Sequence, residues 1–262
     1  MIKLEIENNL DWILQNLDEH KSGDNWKGNF ISHLLPDRFE RYVKILHSIY
    51  EDSSITDKKT TWNQTEQDKI QKLLDDPVKN LLTQATMTFS SPDEDFEGKR
   101  VKWIDLASRY NVPFRKTINV NTFINHFPQN SFPRYLVGPT EGILESHENN
   151  ELIKILSTYC LDSECYFYYD SLVFADFDRV DLYKGKLSEL MDLTNNHELT
   201  FGYSPTYIWS SKKDWCLNTD YDLSFSVMGC TDEIAEKLLS SEILETIEVD
   251  RKTRIDYKAD EQ

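Results

Sequence analysis

The sequence predicts an α+β protein, with a helical and irregular N-terminal part packed with a mainly antiparallel C-terminal sheet. Three observations carry this. Apolar residues recur at helical spacing at Leu10, Ile13, Leu14 and Leu17, and again at Leu152, Ile153, Leu156 and Tyr159. The last third carries short alternating or aromatic runs that suit strands, such as Cys165-Tyr-Phe-Tyr-Tyr169 and Leu223-Ser-Phe-Ser-Val-Met228. With 262 residues, 39% of them hydrophobic, and only 8 Gly and 8 Pro, the chain can bury a sizeable core.

Taken in order, the first helix spans Leu10 to Leu17, with Trp12 beside its apolar stripe and Asn8 or Asn9 as cap. In Phe39 to Tyr50 the positions Phe39, Tyr42, Val43 and Leu46 fit a helix. Val43, Ile45, His47 and Ile49 alternate like a strand, and the β-branched and aromatic content favours the strand. A helix through Ile70, Leu73, Leu74, Val78, Leu81 and Leu82 is interrupted at Pro77. Residues 90–98 read as an acidic loop, and Val101 to Tyr110 as a short amphipathic helix. Irregular structure is expected around Pro128, Pro133 and Pro139, and a helix from Asn149 to Tyr159.

Val180 to Tyr183 is a short strand. Thr206-Tyr-Ile-Trp209 and Asp214 to Thr219 flank Ser210-Ser-Lys-Lys213, which has the length of a hairpin loop. Thr231 caps a helix containing Ile234, Leu238 and Leu239. Ile247-Glu-Val249 adds an edge strand, and the tail from Asp250 reads as frayed. The chain is expected to form a single integrated unit over 1–262; a subdivision would separate 1–135 from the sheet part at 136–250.

Charge is unevenly spread. Residues 1–130 carry 17 basic and 20 acidic side chains, whereas 131–262 carry 12 and 26, within a net charge of −17. Phosphate neutralisation needs the opposite sign, so nucleic acid is disfavoured as a partner. An acidic surface serves solubility or steers toward a basic protein partner. The opening residues hold no continuous apolar stretch, and nowhere do 18 apolar residues run together, so neither a secretory leader nor a membrane span is expected, and the protein is expected in the cytoplasm.

Signatures of nucleotide, metalloprotease and serine-hydrolase chemistry are missing, and no cofactor is expected. Cys160, Cys165, Cys216 and Cys230 are too sparse for a disulfide scaffold. A zinc site would need them to converge in space; buried thiols acting as small hydrophobes are the plainer reading.

Two Asp-x-Asp pairs remain, Asp176-Phe-Asp178 (with Asp181 near) and Asp220-Tyr-Asp222. On a strand, residues i and i+2 point the same way, so Asp176, Asp178, Asp220 and Asp222 could offer carboxylates to Mg²⁺ or Mn²⁺. Turn-forming Asp at strand ends explains them equally well. Trp209 and Trp215 flank the hairpin turn with Tyr207 near, forming either a cross-strand recognition cluster or the core face of a sheet. His47 has the chemistry of a general base or ligand, but its neighbours suit a hydrogen-bonded core histidine.

Gly138-Pro-Thr-Glu-Gly-Ile-Leu144, Cys165-Tyr-Phe-Tyr168 and Ser204 to Gly229 together resemble a widespread group of uncharacterised bacterial proteins. Phe39 to His47 and Val101 to Ala107 resemble that group's earlier segments. The resemblance implies one integrated unit and carries no activity, so it assigns no catalytic residue.

The function expected is therefore non-catalytic: a binding or regulatory protein of the immunity type that engages a macromolecular partner, with Trp209, Trp215, Tyr207, Asp220 and Asp222 as binding residues. The alternative is a small divalent-metal-dependent enzyme built on the Asp-x-Asp carboxylates.

Overall fold

The computed structural model describes residues 1–19, 26–74, 98–160, 164–174 and 179–261. Through the first half run β1 (Ile2–Leu4), α1 (Asp11–Leu14), β2 (Arg41–Leu46), β3 (Ile49–Asp52), α2 (Trp62–Leu74), β4 (Gly98–Val101), α3 (Trp103–Tyr110), α4 (Val120–Ile124) and β5 (Leu136–Val137). Next come α5 (Ser146–Cys160), β6 (Glu164–Tyr169), α6 (Ser171–Phe174), β7 (Asp181–Lys186), α7 (Leu190–Thr194) and α8 (His197–Thr200). The chain ends through β8 (Tyr207–Ser210), β9 (Cys216–Asn218), β10 (Phe225–Cys230), α9 (Asp232–Leu239) and β11 (Glu245–Val249). The protein is α+β, and no helix among the described residues is long and apolar enough to cross a membrane.

Two compact units result. One comprises Met1–His47, Arg115–Asn119 and Thr140–Gln262; the other comprises Ser48–Phe114 and Val120–Pro139. The subdivision expected at 135 does not coincide with these units. Residues 1–47 belong with the C-terminal sheet because β2 is hydrogen-bonded between β10 and β11.

The first unit is built on an eight-stranded antiparallel sheet in the order β1-β7-β6-β8-β9-β10-β2-β11. Register aligns Tyr183, Phe167, Ile208, Leu217, Met228 and Val43 in one row across six strands. This face is buried with Leu152, Ile155 and Leu156 of α5, Leu190 and Leu193 of α7, and Ile234 and Leu238 of α9. Each such side chain withdrawn from water stabilises the fold by about 1.5–3 kcal/mol before the entropy of ordering is counted. Trp215 belongs to the same cluster.

The opposite face presents the row Tyr166, Trp209, Cys216, Gly229 and Tyr42. Trp12 of α1 packs edge-on against Trp209, their ring centroids 6.1 Å apart. The Tyr207 and Tyr42 hydroxyls donate to the carbonyls of Leu34 and Pro36 at 2.9 and 2.6 Å. Phe39 lies against the α-carbon of Gly229, where a β-carbon would overlap its ring. Lys44, fully buried, donates to the Lys116 and Ile118 carbonyls at 3.1 and 2.7 Å and stands 4.3 Å from the Phe225 ring centroid.

The second unit pairs β3 with β4 and β5, both antiparallel. Its core includes Trp103 edge-on to Phe123, and the Trp62 indole donates to the Leu136 carbonyl at 2.8 Å.

Several local expectations change. Residues 41–46 and 49–52 are strands, which settles the ambiguity in Phe39–Tyr50. The first helix is only four residues long. Leu10 and Ile13 are buried but Leu14 is exposed, and the Asn9 amide bonds the Glu5 carbonyl instead of capping. Thr231 stands at the N-cap of α9 with extended dihedrals, yet its hydroxyl makes no capping bond. The tail from Asp250 is not frayed: Phe30 bridges Arg254, and Thr253, Ile255 and Ala259 are buried. Pro77, Val78, Leu81, Leu82 and the loop at 90–97 lie outside the described residues.

Candidate functional site

β6 ends where β8 begins, and β9 ends where β10 begins, so four connections gather at one end of the large sheet. These are the segments 140–145, 170–174, 199–206 and 219–224. Backbone bonds tie them together. Gly142 N–H donates to the Leu223 carbonyl at 3.0 Å, Ser204 N–H to the Gly142 carbonyl at 3.2 Å, and Thr219 N–H to the Thr206 carbonyl at 3.0 Å. The Thr206 hydroxyl accepts from Asp170 N–H at 3.2 Å. Gly142 has φ +66°, and a β-carbon there would stand 3.0 Å from Tyr221 backbone atoms, so glycine is the residue that permits this approach.

Three carboxylates of this corner, Glu141, Asp170 and Asp222, form no ion pair among the described residues. Asp222 is exposed, and Asp170 is half-buried, with one oxygen accepting from Leu172 N–H at 2.9 Å. Glu141 precedes Gly142 and shares the corner. Both Asp170 and Glu141 have pKa values raised above the ordinary carboxylate range. Partial loss of hydration is the main cause in each, and the charge of Asp222 adds to it. In Asp170 the Leu172 and Val173 amides act the other way without cancelling the rise. Tyr203 and Tyr221 pack beside these groups with ring centroids 5.1 Å apart, and the Tyr203 hydroxyl is pushed up to about 12, chiefly by desolvation.

Carboxylates elsewhere in the unit behave oppositely. Burial works to raise Asp181, yet Lys3 at 2.6 Å, Arg179 at 2.9 Å and the Tyr183 hydroxyl at 3.0 Å hold it below its ordinary value. A cleft of about 930 Å³ beside β2 and β11 is also rimmed by acids. There Glu248 takes Arg41 at 2.7 Å, while Asp18 and Asp37 take Arg251 at 3.5 and 3.4 Å, so its charge is largely compensated.

The residues singled out from the sequence are distributed as follows. β8 and β9 do form a hairpin, but Trp209 pairs with Cys216, which sends Trp215 to the opposite face. The two indoles therefore make no shared cluster. Trp209, Trp215 and Tyr207 are buried, at 1%, 0% and 6% exposure, so none presents a surface anchor. Asp220 and Asp222 are at the corner, but in a turn instead of on a strand: Asp222 N–H donates to Asp220 Oδ1 at 2.9 Å, and Leu223 N–H to the Asp220 carbonyl at 3.2 Å. Asp176 and Asp178 lie outside the described residues, and no group of three or more His, Cys, Asp or Glu among the described residues is placed to hold a metal ion.

Cys165, Cys216 and Cys230 are buried, and burial pushes the Cys230 thiol up to about 12. His47 is a core histidine. Its Nδ1 is 2.7 Å from the Thr140 carbonyl, which can only accept, so Nδ1 carries the proton. Nε2 then accepts from the Ser226 hydroxyl at 2.9 Å, and Ser226 accepts from Thr219 at 2.8 Å.

Glu141 and Asp170 were not foreseen. They lie about 80 and 50 residues from Asp222 in sequence. The local signal was Gly142, a residue type that permits close backbone approach, and it carries no information on which carboxylates meet there. Comparison with protein-family models, with curated proteins and with solved structures finds no match to this chain.

Proposed function

We propose that the protein is a non-catalytic binding or regulatory protein, of the immunity type, whose acidic sheet end engages a basic macromolecular partner. The observation supporting this is the unneutralised trio Glu141, Asp170 and Asp222, in which two members are held above the ordinary carboxylate range partly by the third. An arrangement that costs stability in the free protein is relieved when a cation arrives, so part of the binding free energy is stored in the site. Tyr207 opens β8 at the corner and is buried, Trp209 and Trp215 are buried toward the hairpin turn at the other end of that strand pair, and Asp222 is exposed at the corner. A cytoplasmic setting and kinship with the bacterial group of the Gly138–Leu144 and Ser204–Gly229 segments accord with this reading without adding an activity to it.

The test is affinity capture on immobilised wild-type protein beside the combined variant Glu141→Gln, Asp170→Asn, Asp222→Asn. A basic protein retained by wild type, released by moderate salt and absent from the variant is the expected outcome. Equal retention by both proteins would refute the assignment.

A further inference from the structure

Large apolar side chains are exposed at the same sheet end, Leu172 on the loop that carries Asp170, Val180 just before β7 and Phe201 on the 199–206 segment. Leu172 is 47% exposed, Val180 37% and Phe201 54%. Leu172 follows Asp170 by two residues and bonds it through its amide. Val180 precedes Asp181, which pairs with Tyr169, so Val180 stands across the end of the β6–β7 ladder from Asp170. Arg179 donates to the Leu199 carbonyl at 2.9 Å, which brings the segment leading to Phe201 against the same strand end. Phe201 closes α8 in a left-handed conformation, φ +53° and ψ +18°, beside Gly202 at φ +84°. That backbone region is costly for a bulky residue, so Phe201 is placed there at a conformational cost.

We infer that Leu172, Val180 and Phe201 are the apolar centre of a docking surface whose acidic rim is Glu141, Asp170 and Asp222, and that its occupant is an amphipathic, Lys/Arg-bearing segment of a protein partner. The inference rests on the function proposed above and adds to it the apolar half of the contact. Charge complementarity selects the occupant: the rim carboxylates have no ion-pair partner among the described residues, so a partner presenting apolar residues among basic ones satisfies both parts. Interfaces are commonly built with an apolar centre and a polar rim, where the centre supplies most of the affinity and the rim steers association.

Two peptides of equal positive charge separate the parts: decalysine, and an 18-residue Lys/Leu peptide with ten lysines on one helical face. Isothermal titration should show the Lys/Leu peptide binding wild type at least tenfold more tightly than decalysine. Leu172→Ser and Phe201→Ser, on separate loops, should each erode that gain while leaving decalysine affinity unchanged; unaltered thermal melts would show both variants folded. A tenfold gain that survives both substitutions overturns the apolar centre, as does the lack of any gain in wild type. Failure of decalysine itself to bind, or its equal binding to the triple carboxylate variant, instead removes the acidic-site reading on which the inference stands.

Discussion

Asp222 and Asp170 come from different loops, yet the charge of Asp222 helps keep the Asp170 carboxyl above its ordinary range. No lysine or arginine among the described residues pairs with either. Nearby Asp181, taken by Lys3 and Arg179, is held below its ordinary value. Among the described residues, one sheet end thus carries an ion-paired carboxylate inside and carboxylates without an ion pair at its rim.

The rim should therefore trade stability for binding. A carboxyl whose folded pKa is raised favours the folded state while protonated and loses that advantage as pH climbs through the raised value. At neutral pH the folded chain bears the penalty. Asp170→Asn keeps an oxygen for the Leu172 amide and removes the charge, so it should stabilise the protein by about 1 kcal/mol or less at pH 7. The gain should disappear below about pH 3, where the wild-type carboxyl is protonated. Urea unfolding at the two pH values checks this.

His47 gives the opposite slope. Burial lowers its pKa from 6.5 to about 4, so the folded protein keeps it neutral while the unfolded chain protonates it. Stability should fall as pH drops from about 6.5 to 4, by about 3 kcal/mol from this group. His47→Gln should flatten that part of the pH profile, although losing the bonds to Thr140 and Ser226 lowers stability throughout. Denaturation midpoints measured across this range in both proteins decide the point.

Lys44 acts at higher pH. Desolvation lowers its pKa from 10.5 to about 7, only partly opposed by Asp260. Between about pH 7 and 10.5 the unfolded chain still holds the proton that the folded lysine has released, so this group makes stability rise with pH. Lys44→Met should abolish the rise. It should also lower stability near pH 9 by about 1–3 kcal/mol, because the Lys116 and Ile118 carbonyls lose their donor. Unfolding free energies at pH 7 and pH 9 separate the two effects.

Gly229→Ala should destabilise by about 1–3 kcal/mol, since Phe39 occupies the space a methyl would need. Its dihedral is ordinary, so the cost is one of packing. Gly229→Ala combined with Phe39→Leu should recover part of the loss in thermal melts.

Much of this fold was legible in the sequence. The strands at Cys165–Tyr169, Thr206–Trp209 and Leu223–Met228 show because period-two patterning and aromatic content survive whatever lies across the sheet. The position of β2 between β10 and β11 was not legible, because a pairing between residues 41–46 and 225–230 leaves no local trace. The faces of Trp209 and Trp215 depend on the register of the hairpin, and one residue of slip reverses a face. The same limit hid the site. Asp222 was visible as half of an Asp-x-Asp pair, whereas its coupling to Glu141 and Asp170 arises only when three distant loops meet.

The most direct test of the acidic rim is the carboxyl-carbon NMR titration of Asp170, recorded with and without saturating decalysine. A pKa above the ordinary value of about 3.9 is expected in the free protein, with a clear fall when the peptide is bound. A raised pKa indifferent to decalysine, or an ordinary value in the free protein, would contradict the acidic-site reading.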